Sequence, residues 1–410
     1  MTEDHATRAV EAAYRIDAAK IIAGVTRIVG DVGIAEEIAQ DALVAAMEKW
    51  PESGVPDRPG AWLMAIARYK AVDLVRRKDT YARKLAEIGR SLEDMPSAAV
   101  DVDDIEDDLL RLIFTACHPV LSTQARIALT IRLLGGLTTD EIARAYVTSE
   151  AAVAQRIVRA KRTLAEARVP FEVPYGADRE ERLSSVLEVI YLIFNEGYAA
   201  TSGEDLLRPA LCEDALRLAR VLAGLMPDEP EVHGLVALLE FQSSRLAARI
   251  RPDGEPVLLA DQDRSKWNQL LIGRGVDALF RAGNGPYSLQ AAIAGCHARA
   301  VRYADTDWAM IAALYGRLAT LTRSPVVELN RAVAVSMVDG PAAGLELVDA
   351  VAAELDAKNY HLLPSVRGDL LERLGRPAEA RAEFERAASM ARNERERDLL
   401  RQRAERCTSP

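Results

Sequence analysis

Residues 137–164 read LTTDEIARAYVTSEAAVAQRIVRAKRTL, a stretch that specifies two short helices joined by a tight turn. Thr138 and Glu141 have the T-x-x-E spacing of a capping box, in which each side chain accepts from the other residue's backbone N–H. Leu137 and Ile142 occupy the two positions of a hydrophobic staple, so the first helix is expected to begin at Thr139. A break near Val147-Thr148 follows, and Ser149 is a residue type that caps a second helix. On a wheel turning about 100° per residue, Val153, Ile157, Ala160 and Leu164 fall within about 60° of one another and form a core stripe. The other side presents Ala151, Gln155, Val158 and Arg162, with Arg159 beside them and Arg156 and Lys161 on the flanks. Caps, turn, stripe and basic face together have the layout of a helix-turn-helix. On that reading Gln155, Arg159 and Arg162 reach base edges in a major groove, where a good bidentate pair discriminates by about 1–3 kcal/mol. Arg156, Lys161 and the capped helix starts at Thr139 and Ser149 would hold phosphates. The competing reading is a charged, solvated face on an ordinary helix.

Upstream, residues 57–84 read DRPGAWLMAIARYKAVDLVRRKDTYARK. Trp62, Leu63, Ile66, Tyr69, Val72 and Val75 spread around most of a helical circumference, which predicts a helix buried in its bundle, with Trp62 and Tyr69 both in the core. Between Arg68 and Arg90 stand eight basic residues against three acidic ones, enough to grip several phosphates, and Arg68, Lys70, Arg76, Arg77 and Lys78 are the candidates. Asp73 precedes Arg76 and Arg77 by three and four residues, so its expected role is an intrahelical ion pair. Two further helices are expected over 5–29 and 34–50, bounded by Gly30-Asp31 and by PESGVPDRPG at 51–60. The segment SLEDMPSAAVDVDDIEDD at 91–108 carries eight acidic side chains and no basic one, which predicts a solvated linker. Beyond it, four helical patterns run from Leu109 to Arg168, one opened by Ser122 and closed by Gly135-Gly136.

The chain has 410 residues, 49% of them hydrophobic but only 5% aromatic, a balance that suits Leu/Ala-packed helices; the expected fold class is all-α. A net charge of -10 argues against indiscriminate nucleic-acid binding, so any DNA contact must come from local basic patches. No secretory signal and no apolar run long enough to span a bilayer are found, so no membrane association and a cytoplasmic location are expected. Cys117, Cys212, Cys296 and Cys407 lack metal spacing and are expected to be reduced structural thiols. Asp261-Gln262-Asp263 and Asp305-Thr306-Asp307 lack the glycine and glutamate of a calcium loop, and Cys117-His118 has no further ligand at metal spacing. With five histidines, no G-x-S-x-G and no P-loop, no catalytic constellation emerges; neither enzymatic activity nor a cofactor is expected.

VPFEVPYG at 169–176 breaks the helical pattern and opens a third region, helical almost throughout. Gly368 is followed by Gly375, Ala380, Phe384 and Ala387 at the spacings of a tetratricopeptide repeat, where small residues let paired helices approach. Gly340, in SMVDGPAAGLEL, stands 35 residues before Gly375, and Ala215, Ala219, Leu222 and Pro227 fit the second helix of another unit. An ordinary helical bundle is the alternative. The polar clusters DQDRSKW at 261–267 and NGPYSLQ at 284–290 are either a ligand pocket or docking surface, or polar turns between helices.

AWLMAIARYKAVDLVRRK, at 61–78, resembles the helix with which extracytoplasmic-function sigma factors read and open the promoter element upstream of the start site. GDVGIAEEIAQDALVAAMEKWP, at 30–51, resembles their polymerase-clamp-binding helix, and residues 121–164 resemble their second domain, which reads the element near position minus 35. The segments IFNEGY, DEPEVHGLVALL, ADQDRSKW, GPYSLQAAIAGCHA and SPVVELNRAVAV resemble the tetratricopeptide-like extension of one group of these factors. The resemblance implies that Glu36, Glu37, Gln40 and Asp41 face the clamp of core RNA polymerase, that Arg76 and Arg77 lie near promoter DNA, and that the acidic linker threads toward the RNA exit path. The expected organisation is region 2 over 1–90, an acidic linker over 91–108, region 4 over 109–170, a linker over 171–182, and a regulatory extension over 183–410 that docks on the sigma domains. The other function considered is a free-standing helix-turn-helix regulator with a helical sensor domain.

Overall fold

The computed structural model describes residues 3–86, 102–146, 148–200, 205–251, 254–352 and 360–407, with 3–8, 11, 15, 78–86 and 102–106 described by their backbone alone. Among these the protein is all-α, with one isolated antiparallel bridge between Ile250 and Pro256. It divides into two compact units, Met1–Leu192 and Ile193–Pro410.

The first unit begins with α1 (Glu3–Val29), α2 (Val32–Ser53) and α3 (Pro59–Ala86). Gly30, at φ +71°, ends α1, and the Asp31 side chain accepts from Ile34 N at 2.9 Å to start α2. α1 packs on both neighbours through Ile21, Ile22 and Val25, all buried. Gly60 lets α3 start close against α1, since a Cβ there would lie 1.9 Å from Asp17 Oδ2. The buried stripe of α3 is Leu63, Ala67 and Ala71, an i, i+4, i+8 row of mostly small residues. The expectation of a helix buried all round is therefore corrected: Tyr69 is 75% exposed and Val72 is also exposed, because α3 meets neighbours along one side only. Trp62 is half-buried and packs edge-on against the fully buried Trp50, 5.5 Å between centroids.

α4 (Val102–Ala116) starts inside the acidic stretch expected to be a solvated linker. Asp108, within that stretch, is buried and receives Arg111 at 2.8 Å and Arg27 of α1 at 3.2 Å. Two cations on one carboxylate explain the burial, so the expectation of a solvated linker fails at Asp108, while the backbone is helical from Val102; residues 91–101 lie outside the described residues. Next come α5 (Thr123–Thr130), a single π-helical turn (Ile131–Gly135), α6 (Thr139–Ala145) and α7 (Glu150–Glu166). Ser122 caps α5, Gly136 closes the π turn at φ +72°, and both bonds of the Thr138/Glu141 box form, at 3.1 and 2.8 Å. Ser149 caps α7 at 3.2 Å, and Val153, Ile157, Ala160 and Leu164 are its buried residues. α8 (Gly176–Tyr198) lends its first half to this unit: Ser185 donates to Cys117 O at 2.7 Å, and Arg126 donates to Ser185 and, at 3.3 Å, to Glu188. Residues 183–192, expected in the extension, thus lie with the N-terminal unit.

The second unit holds α9 (Pro209–Leu225), α10 (Pro230–Ser244), α11 (Gln269–Leu279), α12 (Pro286–Arg299), α13 (Trp308–Thr322), α14 (Pro325–Val338), α15 (Pro341–Val351), α16 (Leu362–Arg373), α17 (Pro377–Met390) and α18 (Glu394–Arg406). α10 is apolar on nearly every side and buried, wrapped by α9, α11 and α12. In its C-terminal half the repeat pattern becomes geometry. Gly340 and Gly375, at φ +91° and +73°, turn the hairpins α14–α15 and α16–α17. A Cβ on Gly368 would lie 2.8 Å from the ring of Phe384, which is fully buried with Ala380 and Ala387 around it. Asn393 caps α18 with its Oδ1 and donates through Nδ2 to Ala200 O and Asp205 O, tying the last helix to the start of the unit.

Candidate nucleic-acid interface

The outer face of α7 is built by what its inner face must do. With Val153, Ile157, Ala160 and Leu164 committed to the core, Gln155, Val158, Arg159 and Arg162 are left exposed, Val158 at 63%. Gln155, Arg156 and Arg159 line a shallow concavity of about 400 Å³ with Val120 and Ala125 from the start of α5. Thr139 and Ser149 stand at the two capped helix starts, and Thr139 Oγ1 donates to Glu150 at 3.0 Å, joining α6 to α7. Arg162 pairs with Glu166 at 2.7 Å, one turn on, an exposed contact a phosphate can displace. Gln155, Arg159 and Arg162 are thus exposed as expected of the outer face, and Arg156, expected on its flank, is half-buried.

Lys161 does not match it. Its ammonium turns inward to Glu36 of α2, a residue expected to face outward, and Arg132 of the π turn donates to the same carboxylate at 2.6 Å. Glu36 is 3% exposed, and the two cations are each about one-fifth exposed. Burial works to raise the Glu36 pKa, but the Lys161 ammonium and the Arg132 guanidinium outweigh it and hold the carboxyl below its ordinary range. Tyr14 of α1 lies in the same environment, its phenol pushed up to about 12 by burial first and by Glu36 second. The resemblance set Glu36 with Glu37, Gln40 and Asp41 toward the clamp; in the fold Glu36 is buried against α7, with the Gln40 amide donating to it at 3.1 Å, while Glu37, Gln40 and Asp41 are exposed. Arg132 was missed, and local patterning gives no signal for it, because its partner is 96 residues away.

On α3, Arg76 and Arg77 are exposed, Arg77 paired with Asp73 at 2.6 Å as the i, i+4 spacing predicts. Lys70 pairs with Asp41 at 3.1 Å, joining a candidate DNA contact to a candidate protein contact, and Arg68 is half-buried. The Lys78 side chain lies outside the described residues. The missed residue here is Tyr69, whose ring stands free of the core on the same helix as these cations. An aromatic flanked by Arg68 and Lys70 is the signal that marks it, since a base can stack on such a ring.

Both sets of exposed cations fall within stretches that match known family models. The family model Sigma-70 region 2 matches residues 14–81, Sigma-70, region 4 matches 111–164, and a family of unknown function, DUF6596, matches 182–283. An uncharacterized protein of Rhizobium meliloti, R00370, is 44% identical over 379 residues, covering 90% of this chain and 89% of that protein. The ECF RNA polymerase sigma factor SigK of a Mycobacterium species is 27% identical over 157 residues, 36% of this chain and 77% of that protein. A probable ECF RNA polymerase sigma factor, SigI of Mycobacterium tuberculosis, is 25% identical over 168 residues, 40% of this chain and 57% of that protein. Among the described residues no helix is long and apolar enough to cross a membrane.

Proposed function

The chain belongs to the extracytoplasmic-function RNA polymerase sigma factors, and from that premise we propose that it is a sigma factor whose free form is held closed, with region 2 locked on region 4. A sigma factor binds core RNA polymerase and directs promoter recognition; the chemistry of transcription is the polymerase's own. The observation that carries the closed-form reading is the Glu36–Arg132–Lys161 cluster, which joins the clamp-facing helix α2 to the recognition helix α7. Elements near minus 10 and minus 35 lie about 25 base pairs apart, ~85 Å at 3.4 Å per base pair. Two domains in side-chain contact do not read both at once, so docking on polymerase has to part them.

Within this reading Glu37, Gln40 and Asp41 meet the polymerase clamp from the exposed face of α2. Gln155, Arg159 and Arg162 read the minus 35 element, and Arg156 with the helix starts at Thr139 and Ser149 positions the backbone. Arg68, Lys70, Arg76, Arg77 and Lys78 hold the minus 10 region, with Tyr69 as the platform for an unstacked base. Glu36 and Lys161 become available only after opening. The extension regulates the step by docking on the sigma domains, a reading supported by the covalent link through α8, which keeps its effective concentration near them in the millimolar range. The test is transcription by core polymerase, with and without the full chain, on promoters recovered by selection. Specific transcripts that depend on the chain are expected; none from any selected promoter overturns the reading. Truncation after Leu192, which keeps Ser185 and Glu188 on region 4, tests the extension: unchanged transcription would make it a passenger.

A further inference from the structure

The second unit gathers cations that its own carboxylates do not neutralise. Arg245 and Arg249 follow α10 and Arg264 lies in the loop before α11, with the imidazole of His297, in the last turn of α12, beside Arg245 and Arg264. Arg245 donates to Tyr198 Oη at 2.6 Å, and Arg249 donates to Tyr198 O with its guanidinium 3.7 Å from that ring's centroid. Arg264 donates to His297 O and, at 2.8 Å, to Ala300 O. The guanidinium carbons of Arg264 and Arg245 stand 4.8 and 6.0 Å from the centroid of Trp267. Among the described residues no carboxylate forms an ion pair with Arg245, Arg249 or Arg264. Asp305 and Glu396 act on Arg264 and Arg249 only from beyond contact distance. Ring faces and carbonyls solvate these cations but leave their net charge standing. His297 reports the resulting field, its pKa driven down to about 4 by burial first and then by Arg245 and Arg264.

This charge borders a cavity. Arg264, Trp267, Gln269 and Ile272 from the loop and α11, with Arg299 and Val301 from the end of α12, line a pocket of about 500 Å³, the size that takes a small organic ligand. Trp267 is 3% exposed, and its indole N–H has no partner in the protein; the buried Nε–H of Arg264 is likewise unpaired. Buried donors without acceptors are rare in folded proteins and mark places where an acceptor arrives from elsewhere. Asp263, the one acid at the rim, is already engaged by Ser265 at 2.6 Å. Unpaired donors, uncompensated arginines and the apolar edge given by Ile272 and Val301 together select for negative charge on a small organic molecule.

We propose that this pocket binds a small organic anion, its phosphate or carboxylate set against Arg264 and Arg299 and its apolar part against Ile272 and Val301. The site gives the extension a chemical input separate from promoter and polymerase.

The experiment is calorimetric titration of the full chain with phenyl phosphate and with benzoate, at ionic strength held constant with chloride. Saturable binding of one equivalent of at least one probe is expected, and the preferred probe tells a phosphate site from a carboxylate site. Arg264→Gln is expected to weaken it tenfold or more. Because Arg264 also braces the carbonyls of His297 and Ala300, Arg299→Gln serves as the second variant; it is exposed, touches only Cys296 Sγ at 3.8 Å, and is expected to weaken binding at least threefold with an unchanged melting temperature. No saturable heat from either probe, or an affinity unaltered by Arg299→Gln, overturns the proposal.

Discussion

Two clusters of sequestered cations sit in this molecule, one in each unit, and they are resolved in opposite ways. Arg132 and Lys161 share a buried carboxylate, Glu36, brought from another helix, while Arg245, Arg249 and Arg264 meet aromatic faces, carbonyl oxygens and hydroxyls but no carboxylate. A buried charge that finds its counter-charge inside the chain fastens the two elements that supply them. A buried charge that finds none stays receptive to a partner from outside. The same residue type thus works as a clasp in the first unit and as a receptor in the second.

The harshest way to break the comparison is to remove the shared carboxylate. Glu36→Ala leaves two cations facing each other without a counter-charge and is expected to cost closure about 3–5 kcal/mol, seen as faster hydrogen exchange in α2 and α7. Because the closed form competes with polymerase, the same variant binds core polymerase more tightly. Its neighbour sets the opposite sign: Glu37→Lys, on the exposed face, lowers core affinity and leaves exchange unaltered. Equal effects from the two variants would contradict the separation of inward and outward faces.

Acid sharpens the contrast by about 2–3 kcal/mol. The folded pKa of Glu36 is depressed, so its contribution is complete above the unfolded carboxyl value, about 4.3, and is lost only as pH falls through the lower folded value. His297 is also depressed, but for a base that means the folded unit refuses a proton the unfolded chain accepts. Its penalty grows as pH falls from about 6.5 toward about 4, on the order of 2–3 kcal/mol. Melting between pH 7 and 5 should therefore weaken the second unit and spare the closure of the first; His297→Gln should flatten that dependence.

Substitutions on the reading surfaces have smaller expected effects. Arg159→Ala should cost about 1–3 kcal/mol at the minus 35 element and relax its sequence preference, measured by competition with altered promoters. Lys161→Ala should instead act on closure, since its ammonium is held by Glu36. Tyr69→Ala should slow promoter opening by about 1–3 kcal/mol at unchanged thermal stability, because the ring packs against nothing in the core.

What the sequence displayed is what short-range chemistry encodes. Thr138 with Glu141, and Ser149 and Ser122, announced helix starts by spacing alone, and the α7 stripe followed from period; Gly368 and Phe384 announced a close helix pair at repeat spacing. Its failures are all partnerships across distance. Asp108 looked like solvated linker until Arg27 and Arg111 met it, and Glu36 looked exposed until Arg132 and Lys161 did. Tyr69 looked buried because apolar residues around a helix were taken as contacts, whereas α3 has neighbours along one side. The arginine cluster joins the end of α10 to the loop before α11, and in that loop DQDRSKW read equally as a pocket or docking surface and as a polar turn.

The most direct measurement of closure and opening is the distance between spin labels placed through Glu48→Cys on α2 and Arg144→Cys on α6, both exposed, in a Cys407→Ser background that leaves the buried thiols in place. In the free chain one short distance is expected, as befits two helices of one compact unit. On binding core polymerase it should lengthen to about 60 Å or more, toward the spacing of the two promoter elements. A distance that is the same free and bound, or already long in the free chain, would contradict the account.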